Sequence, residues 1–208
     1  MALWDYPLND PRNPVLCQEE VYLRYPRAED YDAWADLRGK SQSHLQPFEP
    51  RWLEQELTRP VFRKKLRLYA HDIRAGTARP YFIFRTRDDA LVGGCTLSNI
   101  RYRAAMTATL GYWVGAEHTR CGYAFAAVCA VVTHAFELLG LTRVEAACLV
   151  HNQPSANLLT KAGFRQEGLA RQYLQIDGKR QDHLLFALLP GDFEAALQTL
   201  AKVPQEHF

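Results

Sequence analysis

Apolar and polar positions along the chain fall into short strand-like stretches separated by longer ones with helical spacing. VYLRYP (21–26) alternates and predicts a strand. RAEDYDAWADLRGKS (27–41) carries acids in its first turn, Trp34 and Leu37 on one face and Gly39 near its end, which predicts a helix. LQPFEP (45–50) breaks the pattern with two prolines, and 51–76 reads as helix, broken or kinked at Pro60. Strands are predicted at 81–86, 90–100 and 108–115, the first two joined through Arg87-Asp88-Asp89 as a hairpin. The apolar stretch 122–140 predicts a long helix closed by Gly140. A strand at 143–150, a short helix at 154–163, a hairpin of 164–177 with 181–189 and an amphipathic helix at 192–202 complete the chain. The order β-α-α-β-β-β-α-β-α-β-β is mixed α/β with one sheet, centred on a β-α-β crossover. Such crossovers pair parallel strands and lay helices on a face.

At 208 residues the chain can bury one sizeable core, and length alone demands no second domain. Residues 1–20, rich in Pro, Asn and Asp, read as an extended arm, 21–190 as the domain, and 191–208 as a helical segment packed outside it. A net charge of +2 lacks the basic excess of a dedicated nucleic-acid binder. The basic run Arg59 to Arg67 reads as a solvated helix face ahead of an RNA or acidic-partner patch. The longest apolar run, 124–141, is interrupted by His134 and Glu137, so no membrane span is expected. The first residues carry acids and prolines where a signal peptide needs a basic start and an apolar centre, and a cytoplasmic location is expected. Five scattered cysteines without a CxxC suit a reducing compartment, and seven dispersed histidines without HExxH make a metal site unexpected. Monomer and homodimer stay open.

The junction LGYWVGAEHTRCGYAF (110–125) runs a strand into the long helix near Gly122. Unpaired N–H groups and a partial positive charge make a helix N-terminus an anion site, and no acid follows until Glu137 to answer the dipole. Arg120 and His118 stand beside that opening. A plain strand-to-helix turn is the competing reading. Neither G-x-G-x-x-G nor Gly-Lys-Ser/Thr is present, so this is not a dinucleotide fingerprint or a P-loop. Gly93-Gly94, inside a strand pattern, marks a bulge or a close approach.

TRCGYA (119–124), the helix after it and VEAACLVHNQPSANLLTKAGF (144–164) together resemble the Gcn5-related N-acetyltransferase (GNAT) superfamily. Its acyl-CoA signature, Gln/Arg-x-x-Gly-x-Gly/Ala, is matched by Gly122 and Ala124, while Thr119 departs from it. SHLQPFEP (43–50), LGYWV (110–114), the run from Asn152 through Ser155 to Gly163-Phe164, and YLQIDGKRQDHLLFALL (173–189) are similar to the RimJ/RimL group of ribosomal-protein-alanine N-acetyltransferases. The resemblance covers about residues 20–190.

The resemblance implies a single mixed, mostly antiparallel sheet, two central parallel strands (108–115 and 143–150) that splay apart, and helices on both faces. It implies acetyl-CoA in the V between those strands, with the pyrophosphate on amides around Arg120, Cys121, Gly122, Tyr123, Ala124 and Phe125. Backbone groups of Tyr112, Trp113 and Val114 would pair with the pantetheine arm, and one N–H there would act as oxyanion donor. Asn152 and Asn157 are carried over as further cofactor residues, against the plainer reading of Asn152 as a turn residue. The family's tyrosine slot is Leu159 here, which leaves Ser155 as candidate for assisting the thiolate and Tyr173 as a weaker one. Ser155 could equally be a first-turn hydroxyl. For the base, the carboxylate slot of some relatives falls on Leu174, and Glu145 could as well pair with Arg143 or Lys161. Glu49 could face the acceptor or cap the following helix, with Phe48 beside it as an acceptor contact.

Attack would be direct, in a ternary complex. An N-terminal α-amine, with a pKa of roughly 7.7–8.0, is about a tenth neutral at pH 7, whereas a lysine amine near 10.4 needs far more help. A site without an evident strong base therefore suits a protein N-terminus, consistent with the RimJ-like resemblance and a ribosomal protein as acceptor. Rival readings are a small-amine acetyltransferase, a non-catalytic acyl-CoA-binding module, and a ribosome-associated factor using segment 59–67.

Overall fold

The computed structural model describes residues 15–202. Strands β1 (Leu16–Gln18) and β2 (Val21–Arg24) form a short hairpin, so the last part of the expected arm is an edge strand of the sheet. A 3-10 turn leads into α1 (Tyr31–Lys40), which is followed by α2 (Gln42–Leu45), a second 3-10 turn over Gln46–Phe48, and α3 (Arg59–Ala75). Strands β3 (Arg79–Arg85), β4 (Ala90–Arg101) and β5 (Thr107–Val114) follow, each antiparallel to the one before it. Helix α4 (Tyr123–Thr133) continues as a wider π-type turn over His134–Leu138 before β6 (Arg143–Leu149) and α5 (Gln153–Lys161). The closing hairpin is β7 (Arg165–Ile176) with β8 (Lys179–Leu188), and α6 (Pro190–Lys202) sets Phe193 edge-on to Phe136.

One departure from expectation has a simple cause. Residues 51–58 are not helical, and α3 begins at Arg59 with Pro60 in its first turn instead of kinking there. Proline lacks an N–H and its ring collides with the preceding turn, so the first turn is where a helix tolerates it.

The eight strands form one sheet in the order β1-β2-β3-β4-β5-β6-β8-β7, and the β5–β6 pair alone is parallel. The two-residue period sorts the side chains onto two layers. Leu23, Ile83, Leu97, Leu110, Ala146 and Phe186 face α4, whose residues Ala126 to Val132 are all buried. Phe82, Phe84 and Leu91 face the other way and pack with Trp34, Leu37 and Phe62 of α1 and α3. Helices thus cover both faces.

The feature that makes a site is where the parallel pair stops. β5 and β6 are in register from Thr107↔Arg143 to Leu110↔Ala146. Beyond that, Gly111–Val114 stay bonded to β4 while Ala147–Leu149 stay bonded to β8. The sheet opens into a V at its centre.

Gly93 and Gly94 let β4 and β5 approach closely at the mouth of the V. A Cβ on Gly93 would lie 2.3 Å from the Trp113 carbonyl oxygen, and one on Gly94 2.6 Å from Trp113 Nε1. Gly94→Ala is therefore expected to push the indole off the strand and cost about 1–3 kcal/mol, the range for overpacking. Urea unfolding followed by tryptophan fluorescence tests this; an unchanged midpoint and spectrum would refute it.

Candidate active site

At the V, Tyr112, Trp113 and Val114 form the free end of β5. The loop beyond is anchored by the Ala116 N–H, which donates to the buried Ser41 Oγ at 2.9 Å. Arg120 and Gly122 both adopt left-handed backbone, φ 61° and 81°. For arginine that conformation is strained, and such strain gathers at ligand clamps. The Ala126 N–H is the first to bond back to the Gly122 carbonyl (3.0 Å), so the amides of Tyr123, Ala124 and Phe125 stand outside the helical ladder. No acidic side chain sits in that first turn. Around a Cβ built on Gly122 nothing lies within 4 Å, which leaves open space over the helix opening.

Side chains divide unequally around this opening. Arg120 and Cys121 are exposed, while the Tyr123 ring is buried and leaves only its backbone to a ligand. His118 turns inward, its ring 6.3 Å from that of Tyr123, and burial pushes its pKa down. Lys161, from the end of α5, holds its Nζ 4.5 Å from the Phe125 ring centroid and brings a cation beside the first turn. This set of free amides, open space and flanking cations suits a polyanionic phosphate ligand.

Helix α5 forms the other wall. Asn152 is its N-cap: Oδ1 accepts the Ser155 N–H at 3.2 Å, which leaves the amide nitrogen free. Ser155 Oγ lies 2.8 Å from the Tyr112 hydroxyl, a contact between the two walls of the V. Asn157 is exposed two residues on, its carbonyl oxygen taken by Gln153 Nε2 at 2.7 Å. Leu159 is core.

On the opposite face lies the expected acceptor side. Phe48 sits over the end of β6, its ring 6.2 Å from that of His151. Glu49 does not cap the next helix. It binds Arg38 through both oxygens (2.9 and 2.5 Å) and accepts from Trp52 Nε1 at 2.8 Å. The Arg38 guanidinium lies over the rings of both Trp52 and Trp113, at 4.3 and 4.9 Å from their centroids. The tip of the β7–β8 hairpin closes onto this loop, where the Asp177 N–H donates to the Glu49 carbonyl (2.9 Å) and the Asp177 carboxylate meets Arg51.

Ser155 and Tyr173 are not brought together. Tyr173 stands on a bulged stretch of β7, edge-on to the buried His183 at 5.7 Å. His183 pairs across from Leu149, one residue out of phase with Leu184, which packs on the α4 side. Tyr173 thus lies on the face of the sheet away from α4, while α5 and Ser155 lie on the α4 face. Glu145 is bound to Arg143 at 2.9 Å near the closed end of the V. Sequence reasoning missed Arg38, Trp52, His183 and the hydroxyl of Tyr112. The tryptophans and the Leu-Arg-Gly of α1 carry no motif spacing, and only folding brings them into contact.

A mixed sheet with a central V, a helix opening with free amides and a hydroxyl across the gap define an acyl-CoA-dependent transferase fold. The sequence matches the family described as Acetyltransferase (GNAT) domain over residues 20–165, and the chain belongs to that family. It is an acetyl-CoA-dependent N-acetyltransferase. It is 31% identical to the probable N-acetyltransferase YjcK of Bacillus subtilis over 180 residues, 86% of this chain and 99% of that protein. It is 30% identical to the [ribosomal protein uS5]-alanine N-acetyltransferase of Escherichia coli over 166 residues, 79% of this chain and 86% of the relative. Among solved structures, Mycobacterium smegmatis RimJ in complex with CoA-disulfide superposes with a TM-score of 0.83 at 32% identity, covering 91% of this chain and 93% of the other. Among the described residues no group of three or more His, Cys, Asp or Glu is placed to hold a metal, and no helix is long and apolar enough to cross a membrane.

Proposed function

We propose that this protein acetylates the N-terminal α-amine of a protein, with alanine-starting ribosomal proteins as the acceptor class. The observation that carries this reading is the state of the two carboxylates that the sequence offers as bases. Glu49 is tied to Arg38 and Trp52, and Glu145 to Arg143. A site whose carboxylates are engaged favours an amine that is already partly neutral, and an α-amine with a pKa of roughly 7.7–8.0 meets that condition where lysine does not. The likeness to the E. coli uS5-alanine enzyme and to M. smegmatis RimJ supports the same choice.

In this reading acetyl-CoA lies along the free end of β5, with its phosphates toward Arg120 to Phe125 and its pantetheine near Asn152 and Asn157. The neutral amine forms the N–C bond, and an amide within Tyr112–Val114 stabilises the oxyanion. As the C–S bond breaks, its electron pair stays on sulfur. Serine is too weak an acid to hand its proton to a thiolate outright. Ser155 Oγ–H instead donates a hydrogen bond to the departing sulfur, while nitrogen loses its surplus proton to water and sulfur takes one from water. Phe48, Glu49 and Tyr173 border the acceptor.

Thiol release from acetyl-CoA tests the acceptor class. Short peptides with free Ala, Ser or Met N-termini are compared with the same peptides N-blocked and carrying lysine, and with spermidine and an aminoglycoside. Turnover confined to free N-termini is expected, with Ala the best. Turnover only on small amines would overturn the acceptor class and leave the fold intact. Acetyl-CoA binding without any turnover would favour a binding module.

A further inference from the structure

Tyr112 enters the sequence argument only through its backbone, yet its side chain crosses the V. It alternates with Leu110 and Ala108 onto the α4 face, and its hydroxyl ends 2.8 Å from Ser155 Oγ and 3.4 Å from the Ser155 carbonyl oxygen. The Ser155 N–H is already taken by Asn152 Oδ1, so the serine backbone is held and the rotation of its hydroxyl is the freedom that remains. Burial drives the Tyr112 pKa well above its ordinary value, while the bond to Ser155 pulls it slightly back. The phenol therefore stays protonated at rest, the form that offers a hydrogen bond to the serine.

We propose that Tyr112 is a positioning residue for the acetyl transfer: its hydroxyl donates to Ser155 Oγ and so turns the serine proton toward the thioester sulfur. With one serine lone pair accepting from the phenol, the Ser155 O–H turns the other way, toward the neighbouring Cys148 sulfur or, with acetyl-CoA bound, toward the thioester sulfur. Successive hydrogen bonds polarise one another, so the serine becomes a stronger donor to a developing thiolate than a lone hydroxyl would be. Both residues keep their protons, and the electron pair of the broken C–S bond rests on sulfur until water protonates it. This inference rests on the reading of Ser155 as donor to the departing thiolate.

The test is a double-mutant cycle on the full chain with two readouts. Tyr112→Phe removes one oxygen from a ring that otherwise packs as before, and thermal unfolding checks that the fold is kept. Its kcat with the best peptide of the panel is expected to fall about tenfold, the worth of one hydrogen bond, with KM for acetyl-CoA within about twofold. Adding Tyr112→Phe to Ser155→Ala is expected to change kcat no further, because the phenol acts through the serine.

The second readout is the binding of CoA itself, by calorimetry, from about pH 6 to about pH 10. Wild type is expected to bind the thiolate preferentially, so that affinity rises as the thiol ionises near roughly 8.5. That rise is expected to be lost in both single variants. If Tyr112→Phe leaves kcat and the pH dependence unchanged while Ser155→Ala does not, the role of Tyr112 is refuted alone. If Ser155→Ala is also without effect, the reading of Ser155 falls with it. Losses that multiply in the double variant would mean that the two hydroxyls act independently and would also overturn the proposal.

Discussion

Glu49→Ala is expected to lower the melting temperature by roughly 5–10 °C and to raise KM for the acceptor, while acetyl-CoA binding stays as in wild type. The Arg38 side chain is 8% exposed and lies against two indoles, with the Glu49 carboxylate as its counter-charge. Removing one partner of a buried pair leaves a desolvated charge, which costs about 3–5 kcal/mol when burial is complete. Glu49 is 22% exposed, so water reaches the gap and the expected loss is about 2–3 kcal/mol. The same deletion frees Trp52 Nε1, which donates to Glu49, and loosens the loop that the Asp177 amide holds. Glu49→Gln, which retains an acceptor oxygen but no charge, is expected to fall between. Differential scanning calorimetry and acceptor titrations separate the outcomes. Unchanged melting with lost acceptor affinity would mean that Glu49 meets the acceptor directly.

Acid is expected to destabilise the fold through His134. This residue opens the π-type turn after α4, is 7% exposed and has no hydrogen-bond partner on either ring nitrogen; its ring stands edge-on to Tyr81 at 6.1 Å. Burial, with a smaller contribution from the positive charge of Arg79, pushes its pKa down from 6.5 to about 4. The unfolded chain therefore takes up a proton that the folded chain refuses. Stability is complete above the unfolded pKa and declines as pH falls from 6.5 toward about 4. At about 1.4 kcal/mol per pKa unit, the loss from this group approaches ~3 kcal/mol. Urea unfolding of wild type and His134→Leu at about pH 7 and about pH 4.5 isolates it, because the carboxylates and the remaining histidines contribute equally to both. The gap between the two pH values is expected to shrink by ~2–3 kcal/mol in the variant. Equal gaps would show that His134 finds a partner or a proton in the folded state.

Apart from β1 and the short α2, the order of elements, the crossover at the centre and the opening at Gly122 were legible in the sequence because they follow from short-range physics. Apolar period, helix-end chemistry and glycine at a left-handed position all act within a few residues. The chain order around Gly122 and Asn152 also carried the family resemblance, since those motifs keep their spacing along the chain. Pro60 was misplaced for the same short-range reason. A proline ends or starts a helix, and the local pattern of 51–58 does not say which, whereas the packing of Leu57 against the cluster that holds Trp34 and Phe62 does.

The working parts of the site depend on contacts between distant segments. Tyr112 meets Ser155 across 43 positions, and Asp177 reaches Arg51 across 126. Glu49 was visible as a carboxylate in a proline loop, but its engagement depends on Arg38 eleven residues earlier and on Trp113 from strand β5. Whether a carboxylate is a free base or half of an ion pair, and whether a tyrosine offers its backbone or its hydroxyl, depends on where the chain returns after folding. Composition and periodicity assign each residue to a face and an element. Register across the sheet, set by which apolar rows interlock, then selects the side chains that share the V.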